Sequence, residues 1–238
     1  MTDFASSSPV DVLVLRDEPA VGDFWPATAE AELARSVELL QAVATDAIPQ
    51  SRVIRLCAPS PTVAMSRRES RMPGFDAARH ASIAQGFAPV VRPTGGRAVA
   101  YDQSCVVFDV IVRDTDGAID QERFFEDNGE RLAAELRGLG VDARLGEVPG
   151  EYCPGAFSVN ARGAVKLIGT SQRGIRGARL LSGMLALGPV DRFISVLTAV
   201  NAALELEWDP ATFGTLAHEL LVVDRRAVES ALIAALSG

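Results

Sequence analysis

Two residues carry the chemistry this sequence can do. Lys166 is the one lysine among 23 basic residues, the other 22 being arginine. A high-GC coding bias accounts for the arginine excess, and the one lysine is either a chance survivor or kept for what its side chain does. Arginine is a permanent planar charge, whereas lysine is a compact ammonium that fits a narrow pocket and whose protonation responds to burial. Cys153 lies between Tyr152 and Pro154 in Gly146 to Gly155, a stretch rich in Gly and Pro that reads as a loop. A thiolate is well suited to attack an acyl carbonyl and hold the acyl group covalently. A nearby cation such as Lys166 would favour that thiolate. The ammonium can also donate a hydrogen bond to the acyl carbonyl as negative charge develops, with backbone N–H groups near Gly169 to Ser171 adding to it.

Other reactive side chains read differently. Cys57 and Cys105 sit in apolar runs, as small buried hydrophobes do. His80 and His218 fall on predicted helices and define no Ser-His-Asp order. With three dispersed cysteines, no C-x-x-C and two histidines, a structural zinc site or a disulfide framework is not expected, and no metal ligands are assigned. A net charge of −8 argues against a nucleic-acid partner. Arginines cluster at Arg67, Arg68 and Arg71, and again at Arg173, Arg176 and Arg179. The second cluster is a candidate docking patch for an acidic protein, the alternative being a solvated face. Met1 to Arg16 has no basic leader region and its apolar run, Val10 to Leu15, is too short to span a membrane. A cytoplasmic protein, monomeric by default, is therefore expected.

The elements that must position these residues alternate. Apolar residues make up 48% and charged residues 23% of 238, a globular balance that fits one domain, taken here as 1–238. Helical spacing marks Glu30 to Asp46, Gly74 to Gln85, Gln121 to Leu139 (Phe125, Leu132 and Leu136 inward), Asp191 to Leu206, Thr212 to Val222 and Arg225 to Leu236. Short apolar runs bounded by turn residues mark strands at Val53 to Leu56, Thr62 to Met65, Pro89 to Arg92, Ala98 to Tyr101, Val106 to Val112, Val141 to Leu145 and Ala178 to Leu187. Asn160-Ala161-Arg162-Gly163 is a hairpin turn joining Ala156 to Val159 with Ala164 to Ile168. The order predicts an α+β fold, a mixed β-sheet packed with helices. Thr94-Gly95-Gly96-Arg97 is a Gly-rich turn without the phosphate-loop lysine, read either as a tight strand connection or as a place where the backbone approaches a ligand closely.

Taken together, several segments resemble one family. Arg92-Pro93-Thr94-Gly95-Gly96-Arg97-Ala98-Val99 with Asp102, followed by Lys166-Leu167-Ile168-Gly169-Thr170-Ser171-Gln172-Arg173, resembles the paired signatures of the lipoate-protein ligase family. Arg68-Glu69-Ser70-Arg71-Met72-Pro73 is similar to a stretch of its octanoyl amidotransferases, and Tyr152-Cys153-Pro154-Gly155, thirteen residues before the lysine, resembles their Cys-Pro-Gly. Arg97 departs from the pattern, standing where ligases carry a third glycine, a bulky cation where an adenylate would lie. Pro93 and Gln103-Ser104-Cys105 depart from it as well.

The resemblance implies a catalytic domain like those of class II aminoacyl-tRNA synthetases and biotin-protein ligases, without a C-terminal accessory domain. It implies Cys153 as nucleophile and Lys166 as oxyanion donor. Arg92, Thr94, Gly95, Gly96, Arg97, Ala98, Val99, Asp102, Gly169, Thr170, Ser171 and Gln172 would surround the acyl group, with Val91, Val107 and Ile168 further candidates to line an apolar slot. The implied reaction moves an octanoyl or lipoyl group from a carrier, the glycine-cleavage H protein, to lipoyl domains of 2-oxoacid dehydrogenase complexes, with no metal or nucleotide. Two alternatives stay open: an ATP-dependent lipoate ligase, in which Cys153 is dispensable and ATP and Mg are needed, and a non-catalytic domain that binds an acylated carrier or a biotin-like ligand.

Overall fold

A computed structural model describes residues 11–17 and 25–238. Of the segment read for a leader, residues 1–10 lie outside the described residues. The elements follow the alternation of the sequence. In chain order they are β1 (Val12–Asp17), α1 (Trp25–Ala44), β2 (Arg52–Cys57), β3 (Thr62–Ser66), α2 (Phe75–Ala84), β4 (Ala88–Arg92), β5 (Val99–Tyr101), β6 (Cys105–Asp114), α3 (Gln121–Gly138), β7 (Ala143–Leu145), β8 (Val159–Ala161), β9 (Val165–Ile175), β10 (Gly177–Ala186), α4 (Asp191–Ala203), α5 (Leu216–Glu219) and α6 (Arg225–Ser237).

Seven strands form the large sheet in the order β1-β2-β6-β10-β9-β8-β7, and β4-β3-β5 form a small one. In the large sheet β1 and β2 are parallel and the remaining pairs antiparallel, so the sheet is mixed. The two-residue period of a strand assigns its faces. On β6, Val106, Phe108, Val110 and Val112 pack with Leu132 and Leu136 of α3 and Leu232 and Leu236 of α6. Ile111 points the other way, where it joins Val53 of β2, Leu180 of β10 and Leu39, Leu40 and Val43 of α1. Toward the other end of that second face, Cys105 and Met184 meet the small sheet and Phe193, Val196 and Leu197 of α4. The large sheet is therefore covered on both faces, and the small sheet lies over part of the second.

Local signals set the element ends. The Asp120 carboxylate accepts from the Arg123 N–H at 2.8 Å, capping α3, and Asp224 caps α6 from Arg226 at 2.9 Å. A hairpin forms but is shifted from the expected one: Ala156 to Ser158 is not strand, Asn160 and Ala161 belong to β8, and the turn is centred on Arg162 at φ 57° and Gly163 at φ 71°, closed by Ala164 N–H donating to the Ala161 carbonyl at 2.9 Å. Four further expectations need correction. β1 was not anticipated; its half-buried run pairs with β2 along the sheet edge. Thr212 to Val222 is not one helix, because Asp209 caps a short 3-10 turn at Pro210–Thr212 and Thr215 restarts the chain as the four-residue α5. The strand expected from Val141 starts at Ala143. In α3 the fully inward aromatic is Phe124, while Phe125 is half-buried and stacks on Phe157, ring centroids 5.8 Å apart.

Candidate active site

The Cys153 loop joins β7 to β8 and is stitched at several points. Gly146 N–H donates to the Ser158 carbonyl at 2.9 Å, Asp209 N–H to the Gly150 carbonyl at 2.7 Å, and Glu151 N–H to the Val148 carbonyl at 3.1 Å. The Glu151 side chain turns inward and is 1% exposed as a residue. It accepts from Ser158 Oγ at 2.8 Å and from the Val148 N–H at 3.3 Å. Tyr152 is buried on Phe213 and Trp208, and burial pushes its phenol pKa well above the usual range. With the two preceding side chains anchored in this way, Cys153 is left half-buried at the loop surface.

Lys166 sits at the second position of β9 and is 4% exposed. Its Nζ donates to Glu151 Oε1 at 3.1 Å and to the Cys153 carbonyl at 2.6 Å, and lies 4.9 Å from the centre of the Tyr152 ring. A lysine taken out of water stays charged only if a carboxylate and hydrogen bonds replace its hydration, and both are supplied. Its orientation depends on a register shift. Lys166 and Gly169 are an odd number of residues apart and would face opposite sides of a regular strand. The ladder slips between Val159 and Asn160 opposite them, so Leu167 and Ile168 both pack into the core beneath the sheet and Lys166 reaches the same side as Gly169. The cation expected near Cys153 is thus held against that residue's backbone carbonyl and by Glu151.

The Gly-rich loop between β4 and β5 supplies the group on sulfur. Arg97 N–H donates to Cys153 Sγ at 3.1 Å, and Arg92 Nη2 donates to the Arg97 carbonyl at 2.7 Å. Gly96 has φ +94°, and a Cβ there would lie 2.7 Å from Arg92 Nη2 and 3.1 Å from Cys153 Sγ. Glycine is required at this position on both counts. Buried Glu69 pins the end of the loop: Oε1 accepts from Ala98 N–H at 2.7 Å, and Oε2 from Ser66 N–H and Oγ at 2.7 and 2.8 Å. Thr94 Oγ1 accepts from Ser171 Oγ at 2.9 Å, tying the loop to β9.

Beneath Cys153 a cavity of about 400 Å³ runs between the two sheets. Of the predicted residues, Arg92, Thr94, Gly95, Gly96, Arg97, Val99, Gly169, Thr170, Ser171 and Gln172 line it together with Cys153, Lys166 and Val107. Four others do not line it. Ala98 is fully buried and contributes only its N–H to Glu69. Asp102 accepts from Ser104 N–H and Oγ and pairs with Arg192 at 3.2 Å, closing the β5–β6 turn. Ile168 is in the core beneath the sheet, and Val91 is 40% exposed, beside a separate groove. The arginine cluster is mixed: Arg176 is exposed, Arg179 pairs with Asp114 at 3.3 Å and reaches Gln172, and Arg173 touches the Pro93 carbonyl at 3.4 Å. Cys57 and Cys105 are buried, each thiol pKa pushed up to about 12 chiefly by burial. His80 and His218 are exposed. No group of three or more His, Cys, Asp or Glu that could hold a metal occurs among the described residues, nor does any helix among them have the length and apolarity to cross a membrane.

Sequence reasoning missed Glu151 and the role of Glu69. Glu151 had a signal: an acid next to Tyr152-Cys153 in a chain with a single lysine is the counter-charge that lysine needs once buried. Glu69 stood inside a matched stretch but had no partner until β3 and the Gly-rich loop were brought together.

Residues 29–205 match the family model of the lipoyl protein ligase A/B catalytic domain. The chain belongs to that family. Relatives of this lipoyl protein ligase A/B domain include an octanoyl-[GcvH]:protein N-octanoyltransferase of Geobacillus kaustophilus, 32% identical over 52% of this chain and 44% of that protein. A lipoyl-[GcvH]:protein N-lipoyltransferase of Listeria monocytogenes is 26% identical over 63% of this chain and 57% of that protein. The chain spans about half the length of these relatives. Solved structures share the fold: lipoate-protein ligase A bound with ATP superposes with a TM-score of 0.71 at 20% identity, covering 95% of this chain and 83% of that one. A bi-partite lipoate protein ligase from Thermoplasma acidophilum gives 0.70 at 19%, covering 94% and 82%. The expected α+β catalytic fold is thus the one found in lipoate-protein ligases.

Proposed function

We propose that the chain is an acyltransferase that moves an octanoyl or lipoyl group from a carrier protein, the glycine-cleavage H protein, to the lysine of a lipoyl domain through a thioester on Cys153. The observation that carries this reading is the disposition of Cys153: half-buried, over a 400 Å³ cavity, with an N–H donor on its sulfur and a buried ammonium on its carbonyl. Two relatives whose names specify transfer between GcvH and protein support it.

In the first half-reaction the Cys153 thiolate attacks the acyl carbonyl carbon of the donor lysine amide. The C–N bond breaks, the amine leaves with a proton and the acyl group remains as a thioester. In the second, the amine of the acceptor lysine attacks the thioester, gives up a proton and displaces the thiolate. Each step passes through a tetrahedral oxyanion. Lys166 Nζ has three N–H bonds, two of them used by Glu151 and the Cys153 carbonyl, which leaves one for that oxygen. In this scheme no nucleotide or metal takes part, and Arg176 with Arg173 and Arg179 forms the basic edge that meets an acidic carrier.

The test is incubation with octanoyl-H protein without ATP, followed by intact mass. Wild type should gain the mass of one octanoyl group, and Cys153→Ser none. Lipoylation of a lipoyl domain that needs ATP and survives Cys153→Ser would replace this reading with ligation.

A further inference from the structure

A slot for a fatty acyl chain should be apolar throughout, yet the inner end of this cavity is charged. Cross-strand register sets out its floor in rows. The row nearest Lys166 is Gly169–Met184–Val107–Cys57, and the next, two residues along each strand, is Ser171–Ser182–Asp109–Arg55. Asp109 and Arg55 are 1% and 2% exposed and form an ion pair of 3.0 Å. Asp109 Oδ2 also accepts from Ser36 Oγ of α1 at 2.7 Å, and Oδ1 from Ser182 Oγ at 2.5 Å. At this row the cavity's edge also touches Leu180, and beyond it Leu39, Leu40 and Val43 of α1 close down on Val53, Ile111 and Leu180. The slot therefore stops where α1 is hydrogen-bonded onto the sheet through Ser36.

We propose that the Arg55–Asp109–Ser182–Ser36 row is the end wall of the acyl slot and sets how long a saturated chain Cys153 can load. This deepens the transferase reading and rests on it. The two rows are separated by roughly 6.6 Å along the strands. Over the first row each added methylene finds Met184 and Val107 and gains affinity, roughly fourfold per carbon. At the second row the next carbon meets an ion pair whose hydrogen bonds are already made. It gains no apolar partner and strips polar surface of any other contact. The pair is not explained by stability alone, since apolar residues of similar volume commonly replace a buried ion pair without loss. Its place at the inner end of the slot, past the apolar floor of Met184 and Val107, gives it a use.

The experiment loads the full chain with S-acyl-N-acetylcysteamine thioesters of hexanoyl, octanoyl, decanoyl and dodecanoyl groups and follows acyl mass on Cys153 with time. Wild type should load faster from hexanoyl to octanoyl, then fall at least about tenfold at decanoyl. In the volume-conserving pair Arg55→Met with Asp109→Leu the fall should disappear. Ser182→Ala keeps the ion pair and serves as a second variant should the first not fold; it should raise decanoyl loading relative to octanoyl. Equal loading of octanoyl and dodecanoyl by wild type, a break at the same chain length in the folded double variant, or an unchanged decanoyl-to-octanoyl ratio in Ser182→Ala overturns the end wall and leaves the transferase reading intact. No loading of Cys153 from any of these donors or from octanoyl-H protein overturns both.

Discussion

Removing the carboxylate opposite Lys166 should cost this protein both stability and chemistry, and the two losses can be separated. Both side chains of the pair are at most 3% exposed, with the oxygen and nitrogen 3.1 Å apart. Breaking a buried pair by deleting one partner typically costs about 3–5 kcal/mol, because the survivor is left charged and dry. Glu151→Gln keeps an acceptor for Lys166 and for Ser158, so the lower end, about 3 kcal/mol, is expected. For a chain of this length that is roughly 6–12 °C in Tm. Lys166→Met leaves Glu151 with the Ser158 and Val148 donors and should cost a similar amount. The double variant should cost clearly less than the sum, with a coupling of about 2 kcal/mol, because it leaves no orphaned charge. The assay is urea unfolding of the four proteins, compared at constant m. Acyl loading should fall in Glu151→Gln, where the ammonium loses its anchor, and stay low in the double variant although stability returns. Additive stabilities within about 0.5 kcal/mol would refute the pair as the device that holds Lys166.

Other expectations follow from the same geometry. Gly96→Ala forces a Cβ at φ +94° to within 2.7 Å of Arg92 and 3.1 Å of Cys153 Sγ, so it should cost about 1–2 kcal/mol and cut loading sharply; thermal melting and intact mass measure the two effects. Burial raises the Cys57 and Cys105 thiols to about 12, so below that pH both remain protonated in the folded state. Iodoacetamide at pH 8 should modify one thiol in native protein, three in urea, and none in native Cys153→Ser. Glu69→Gln weakens three hydrogen bonds at the base of the Gly-rich loop and should lower stability by about 1–3 kcal/mol; partial proteolysis should then cut near Thr94 to Ala98. Arg176→Glu should slow association with an acidic carrier at low salt, read by stopped-flow, and the deficit should vanish as salt rises.

Periodicity made most elements legible because the sheet is covered on both faces and its strands are short apolar runs. It failed where tertiary contacts override pattern. The stretch Thr212 to Val222 has helical spacing, but Gly214 N–H is drawn to the Lys166 carbonyl at 2.8 Å and Lys166 bridges Phe213 alongside β9, which breaks the helix. For the site, the matched segments predicted Cys153, Lys166 and the Gly-rich turn as one group, and these residues line one cavity. They did not separate residues that line the cavity from residues that hold the loop. Ala98 and Asp102 lie one and five residues beyond Arg97, yet one works through its N–H and the other through a turn in the next connection. The orientation of Lys166 was not legible either, since a register shift, not strand alternation, decides it.

Arg97 shows why a departure from a family pattern must be judged by backbone conformation before side-chain bulk. Three consecutive glycines would suggest that every residue of the turn needs positive φ or an empty Cβ position. In this chain the requirement falls on Gly96, and Arg97 is not among the positive-φ residues. A side chain at 97 therefore costs no backbone strain. Its guanidinium does not fill the space over Cys153 but donates to the Glu207 carbonyl at 3.0 Å, while its N–H holds the sulfur and its carbonyl accepts from Arg92. One residue thus straps the Gly-rich loop to the segment after α4, to β4 and to Cys153 at once. A glycine there would keep the two backbone bonds and lose the strap. The extra cation fixes the position of the N–H that touches Cys153, so the arginine that looked like an obstruction over the site is part of what orders it.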